Sequence, residues 1–254
     1  MKIVTLMENT SCREDLTCEH GLSLYIETVK HKILFDAGQS AAFADNAEKL
    51  GVDLEKVDFA VLSHGHYDHG GGLGRFLGCN EQAPIYVSSH AFEPHYSQNG
   101  YIGLDLSLES SQQIRLVSQS TQLAEGISLH QIACEPMDTA GLLVEENGIR
   151  KPDDFRHEQY LMIEEQGKRI LISGCSHKGI LNIMEAFRPD ILIGGFHFMK
   201  ITDATWLKEA AEKLLSYDAV YYTGHCTGQS QYDFLKTIMG DQLHYLSTGT
   251  VLEI

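Results

Sequence analysis

Apolar positions along this 254-residue chain change their rhythm part-way. Early on they come in short runs bounded by glycine, asparagine and aspartate, the punctuation of strands and turns. Residues 2–7 predict a first strand, 22–28 alternate as a half-buried strand does, and 32–35 predict a third strand ending at Asp36-Ala37-Gly38. Residues 41–50 have helical spacing, 58–62 read as a buried strand, 73–77 as a helix, and 85–88 as a strand leading to His90. Residues 91–113 are polar and irregular and read as a loop or lid, with Asn99-Gly100 as a turn. Residues 114–117 and 127–132 predict further strands.

From residue 157 strands and helices alternate. Strands at 160–163 and 169–173 flank a hairpin turn, Glu165-Gln166-Gly167-Lys168. Helices at 179–187, 204–215 and 232–239 then interleave with strands at 191–194, 219–223 and 243–246, and residues 251–254 close the chain. A strand-rich beginning followed by alternation predicts an α/β (α+β) chain with helices outside its sheets. No linker, low-complexity stretch or short repeat interrupts the pattern, so one domain over 1–254 is expected, with 91–155 as a variable loop or lid region.

Charge and cysteine usage narrow the function classes. Thirty-five acids against 19 bases give a net charge of −16, which leaves no basic surface for nucleic acid. No apolar run nears a membrane span, and MKIVTLMENT is too short and polar for a signal peptide. Six cysteines, scattered without a Cys-x-x-Cys pair, predict free thiols in a reducing cytoplasm. A small-molecule substrate is the expected partner; nothing in the sequence fixes an oligomeric state.

The chemistry is concentrated in SHGHYDHGGGL, residues 63–73. His64, His66, Asp68 and His69 fall within six positions. An extended chain sends residues 64, 66 and 68 to one face. A turn or helix start after Asp68 brings His69 back to the same point, and the glycines at 70, 71 and 72 suit a tight approach. Imidazole and carboxylate form a ligand set for zinc, iron or manganese.

Other strand ends carry chemistry-bearing side chains: His90, Cys175 with His177, His197, and His225. Asp36 is placed to accept a ring N–H from a motif histidine, or is a plain turn aspartate. Glu19-His20-Gly21 reads as a polar rim element, with His20 a substrate contact. Gly174-Cys175-Ser176-His177-Lys178 nearly spells a nucleophile elbow, but Lys178 replaces its closing glycine. Lys151-Pro152-Asp153-Asp154 reads as a charged turn.

His-x-His-x-Asp-His is the signature of the metallo-β-lactamase superfamily, which this chain resembles. Further segments resemble one subgroup: Glu8-Asn9-Thr10, EHGLSLYIE, ILFDAGQS, Glu158-Gln159, GCSHKGILN, GGFHF and GHCTG. It is the group labelled 7,8-dihydropterin-6-methyl-4-(β-D-ribofuranosyl)aminobenzene-5′-phosphate synthase-like. The resemblance implies a four-layer αββα sandwich, two mixed sheets face to face with helices outside. It also implies two divalent metals, zinc first, with iron or manganese as alternatives. His64 and His66 would hold metal one; Asp68, His69 and His225 would hold metal two. Cys175 stands where relatives carry a ligating acid or thiol, or it is a small buried thiol.

The usual third histidine of metal one lies in a Pro-Gly-His stretch that this chain lacks. His177 is the first choice for that place, His157 the second and His90 the third. His197 has no counterpart among the usual ligands and is either a substrate contact or a core histidine. The implied activity is hydrolysis of an ester, amide, lactone or phosphoester by a hydroxide that Asp68 orients. Its rivals are a pterin-linked synthase or transferase, and a metal-bearing ligand sensor without turnover. An oxygen or nitric-oxide reductase of the flavodiiron kind would need a carboxylate where His66 stands.

Overall fold

The computed structural model describes residues 1–136 and 141–254. The chain divides into two compact units. One holds Met1–Gln119, Thr139–Gln159 and Ser247–Ile254; the other holds Ser120–Asp138 and Tyr160–Leu246.

The first unit is built on a seven-stranded mixed sheet, in the order Val251–Glu253, Lys2–Met7, Ser23–Glu27, Lys32–Phe35, Phe59–Val61, Ile85–Ser88, Ile114–Val117. The pairings are antiparallel up to Lys32–Phe35 and parallel beyond it. Phe59–Val61 lies inside the parallel half and is buried at every position, which explains its continuous apolar run. Phe43 and Ala47 of the helix Ala42–Lys49, and Leu73 and Phe76 of the helix Leu73–Cys79, join Leu34, Leu62 and Ile85 in one apolar cluster. Fully burying one of these phenylalanines contributes about 1.5–3 kcal/mol.

A second, four-stranded antiparallel sheet belongs to the same unit, in the order Ile149–Pro152, Leu143–Glu146, His95–Ser97, Gly100–Tyr101. It corrects the irregular reading of 91–113, which also contains a 3-10 helix at Leu106–Ser110. Strands of two to four residues are too short to show a period of two. His95–Ser97 also finds its partner some fifty residues along the chain, which local pattern does not reveal.

The second unit repeats the first unit's plan. Its sheet runs Leu243–Tyr245, Val220–Thr223, Ile191–Ile193, Lys168–Ile172, Tyr160–Glu165, Ile127–His130, Thr121–Ala124. The first four strands are parallel and the rest antiparallel. The hairpin turn at 165–168 is as expected: Gln166 and Gly167 have φ of 52° and 77°, the paired positive values of a type I′ turn. Helices Ile180–Phe187, Ala204–Leu215 and Gln229–Met239 share an apolar cluster with the sheet through Met184, Leu207, Leu214 and Leu235. Asp203 caps Ala204–Leu215 by accepting from Thr205 and Trp206 N–H. Among the described residues no helix is long and apolar enough to cross a membrane.

In each unit the chemistry-bearing segments leave the carboxyl ends of parallel strands, where open α/β sheets present ligands. Asp36 follows Lys32–Phe35 and Ser63-His64 follows Phe59–Val61. In the other unit, Cys175 follows Lys168–Ile172, His197 follows Ile191–Ile193 and His225 follows Val220–Thr223.

Candidate metal centre

The motif leaves its strand extended and then coils. His66 (φ −100°, ψ 147°) precedes the short helix Tyr67–Gly70, whose first turn carries Asp68 and His69. That turn swings His69 back, so its ring centre lies 4.2 Å from that of His64, with His66 at 4.6 Å from His64. His64, His66, Asp68 and His69 are all buried. His69 Nε2 is 3.7 Å from Asp68 Oδ2, and two donors on one tetrahedral zinc lie about 3.3 Å apart. The expected convergence is therefore present. The glycines serve close approach. A Cβ at Gly71 would stand 2.2 Å from Gln39 O, and one at Gly72 2.1 Å from Ala37 O.

Asp36 is the organiser. It sits just past a strand with φ of 57°, a left-handed conformation that aspartate tolerates better than most residues. Its Oδ1 accepts from Ser63 N–H at 2.7 Å. Its Oδ2 accepts from Ser63 Oγ at 2.7 Å and from His69 Nδ1 at 2.6 Å. Ser63 Oγ has one proton, spent on Asp36, so it accepts from His64 Nδ1 at 2.8 Å. The network thus assigns the ring proton of both His64 and His69 to Nδ1 and the lone pair to Nε2. One carboxylate aims two motif histidines as metal-bound histidines require, which bears out the reading of Asp36 as an orienting acid.

His20 lies at the rim. It is partly exposed, with Nε2 3.3 Å from Asp68 Oδ2, so it touches the motif's acid. His90, the third choice for metal one, is about two-fifths exposed, and its Nδ1 pairs with Glu93 at 2.9 Å. His157 is buried among the motif histidines, but both its nitrogens are engaged. Nδ1 accepts from Gly65 N–H at 2.8 Å and Nε2 faces Asp153 Oδ2 at 3.3 Å. Through Nδ1 it grips the residue between His64 and His66.

Asp153 corrects the reading of 151–154 as a charged turn. It is buried, accepts from His95 Nδ1 at 2.8 Å and from Phe155 N–H at 2.7 Å, and faces His157. Burial opposes its ionisation, but the ring N–H groups of His157 and His95 prevail and hold its carboxyl far below the usual carboxylate range. One ligand atom from each of His66, His95, Asp153 and His157 lies within 4.8 Å of the others. Sequence reasoning missed His95 and Asp153. The signal available was Asp153 four residues before His157.

In the second unit Cys175, His177 and His225 are buried and His197 is half-buried. Ligand atoms of Cys175, His177 and His197 group within 4.8 Å, and so do those of Cys175, His225 and Cys226. His197 therefore stands with potential ligands, its ring centre 4.3 Å from that of His177. Ser176, His197 and His225 have φ of 59°, 59° and 50°, strain of a kind that clusters at functional sites. Cys226, absent from the sequence reading of ligands, donates from Sγ to Cys175 O at 3.5 Å. Burial pushes its thiol up, but hydrogen bonds with Cys175 and His197, and nearby His225, hold it well below its ordinary value.

The sequence profile described as the metallo-beta-lactamase superfamily matches residues 16–225. The chain belongs to this superfamily. Within it, the chain is 28% identical over 292 residues to the 7,8-dihydropterin-6-methyl-4-(beta-D-ribofuranosyl)-aminobenzene-5'-phosphate synthase of Methanocaldococcus jannaschii, covering 100% of this chain and 96% of the relative. An uncharacterized protein of the same organism is 30% identical over 240 residues, covering 89% of this chain and 90% of the relative. The crystal structure of a metal-dependent hydrolase of the beta-lactamase superfamily superposes with a TM-score of 0.86 at 29% identity, covering 100% of this chain and 99% of that one. The mixed α/β metallo-β-lactamase fold and the synthase-like resemblance expected from the sequence are therefore established.

The metal-free site is expected to lose stability in acid. Burial, with His157 beside it, pushes His66 well below its ordinary value, against the pull of Asp68; burial and His95 likewise lower His157, against Asp153. A histidine depressed in the fold binds its proton more readily unfolded, so its stabilisation is present above about pH 6.5 and lost as pH falls. Asp153, also depressed, acts in the same direction at lower pH. The melting temperature in chelator is expected to drop between pH 7.5 and 5.5, by about 2–4 °C for each kcal/mol lost. Equal melting temperatures at the two values would contradict this account.

Proposed function

We propose that the protein is a metal-dependent hydrolase acting on an ester, amide, lactone or phosphoester of a small molecule. The observation that carries the reading is the Asp36 network, in which one buried carboxylate aims both His64 and His69. Aligning two imidazoles this way has little value for packing alone, whereas it is what a metal centre requires. His64 and His66 are assigned to one divalent ion, and Asp68 and His69 to a second. Superfamily order supports Cys175 and His225 as further ligands, and His177, two residues past Cys175 and grouped with it, is proposed beside them. Zinc suits this donor set, and iron and manganese also fit it. When bound, the metals supply Lewis acidity and a water made acidic near neutral pH.

The chain's own residues do the rest. Asp68 orients the nucleophile, with His20 Nε2 3.3 Å from its Oδ2, the oxygen that also faces His69. His197 is proposed to contact the substrate. The carboxylates of Asp36 and Asp153 fix proton positions on the imidazoles behind the site.

The second reading is a pterin-linked synthase or transferase, favoured by the 28% identical synthase that matches over nearly its full length. Metal content per chain, with turnover on an ester, lactone and phosphoester panel, tests the first reading. About two metals per chain and turnover lost in His64→Ala, with the fold intact, is the expected result. Bound metal without turnover on the panel would favour the synthase or a ligand sensor. Full activity in His64→Ala would sink the metal mechanism.

A further inference from the structure

We propose that His95 is a metal ligand on the same ion as His66, with its ring aimed by Asp153. The inference rests on the metal-centre reading above and adds a ligand from outside the His-x-His-x-Asp-His motif.

His95 lies in the short strand His95–Ser97 and is fully buried. Its Nδ1 donates to Asp153 Oδ2 at 2.8 Å. Asp153 is itself buried, and its other oxygen takes Phe155 N–H at 2.7 Å. With the proton fixed on Nδ1, Nε2 of His95 carries the lone pair. That atom is buried and has no hydrogen-bond partner among the described residues. Leaving such an acceptor unsatisfied is costly, and a buried polar atom of this kind calls for a specific explanation. If the position only filled space, an apolar ring would do so without that cost. A carboxylate behind one imidazole nitrogen, with a lone pair on the other, is the arrangement of a metal-ligating histidine.

The neighbourhood agrees. The ring centres of His66 and His95 are 5.5 Å apart, and those of His64 and His66 are 4.6 Å apart. Two imidazoles bound through nitrogen to one tetrahedral zinc place their ring centres about 5 Å apart, from a metal–nitrogen distance of about 2.0–2.1 Å. The other members of the cluster are committed elsewhere. Both nitrogens of His157 are engaged, with Gly65 N–H and Asp153, and both oxygens of Asp153 are occupied. His95 therefore fits the third-histidine place that the sequence leaves vacant. Asp153 and His157 are positioning residues, one for the ring and one for the backbone between His64 and His66.

The test uses the full chain, stripped of metal and reloaded with zinc or cobalt(II). Zinc per chain is measured by plasma mass spectrometry, zinc affinity by competition with a chromophoric chelator, and cobalt coordination by visible absorption. Wild type is compared with His95→Ala, His95→Gln, Asp153→Asn and, as a surface control, His90→Ala. His95→Ala is expected to lose one zinc equivalent or weaken it at least about 100-fold. Asp153→Asn should weaken it about 10–100-fold and shift the cobalt bands, an effect that a purely structural role would not produce. His90→Ala should match wild type. If His95→Ala does not fold, His95→Gln, which keeps a donor for Asp153 but is a poorer ligand, decides instead. Folded His95 variants with wild-type zinc content, affinity and cobalt spectrum would overturn the proposal while leaving the metal centre intact. Wild type that takes up neither zinc nor cobalt would overturn the metal reading itself.

Discussion

Replacing Asp36 with alanine is expected to cost about 3–5 kcal/mol of stability and to remove tight metal binding together. Three buried donors lose their acceptor at once: Ser63 N–H, Ser63 Oγ–H and His69 Nδ1–H. Each orphaned donor costs about 1–3 kcal/mol, although the three share one network and do not sum in full. Alanine also tolerates the residue's φ of 57° less well than aspartate. The milder Asp36→Asn separates the two effects. It keeps volume and backbone preference but presents an amide donor or a neutral oxygen to three donors. Zinc affinity is then expected to fall about 10–100-fold, with a smaller loss in melting temperature. Thermal melts beside chelator competition check both variants. Unchanged affinity in Asp36→Asn would show that the network serves folding alone.

Gly65→Ala is expected to be nearly as damaging, for a steric reason. A Cβ at position 65 would sit 2.2 Å from the backbone oxygen of Ala91 and 2.9 Å from its carbonyl carbon. Backbone cannot rotate away as a side-chain tip can, so the chain must shift between His64 and His66. The same residue donates its N–H to His157 at 2.8 Å, and that bond is strained or lost with the shift. Overpacking of this kind costs about 3 kcal/mol, or about 6–12 °C in melting temperature. Gly78→Ala is the control: it lies in the helix Leu73–Cys79 with nothing within 4 Å of its added Cβ. There alanine should stabilise by about 0.5–1 kcal/mol. If both variants melt like wild type, the packing around the motif is looser than the contacts imply.

Much of this protein follows from local sequence. The strand runs, the I′ hairpin and the alternating second half are legible because apolar periodicity and turn chemistry act within a few residues. The motif was legible for a similar reason. Four ligand-type side chains in six positions can converge through one strand-to-helix turn, whatever the rest of the chain does. Asp36 could also be read, because it ends the strand that pairs in parallel with the one leading into the motif. Tertiary structure alone decided the role of Asp153, which reads as a charged turn yet is buried just past the strand Ile149–Pro152, whose partner Leu143–Glu146 pairs in turn with His95–Ser97 some fifty residues earlier. It likewise set His95 beside that acid and His90 out at the surface with Glu93. Sequence spacing gives no measure of burial or of which long-range partner a side chain meets. Those depend on pairings that span the chain, so residues alike in type and only five positions apart came to opposite ends.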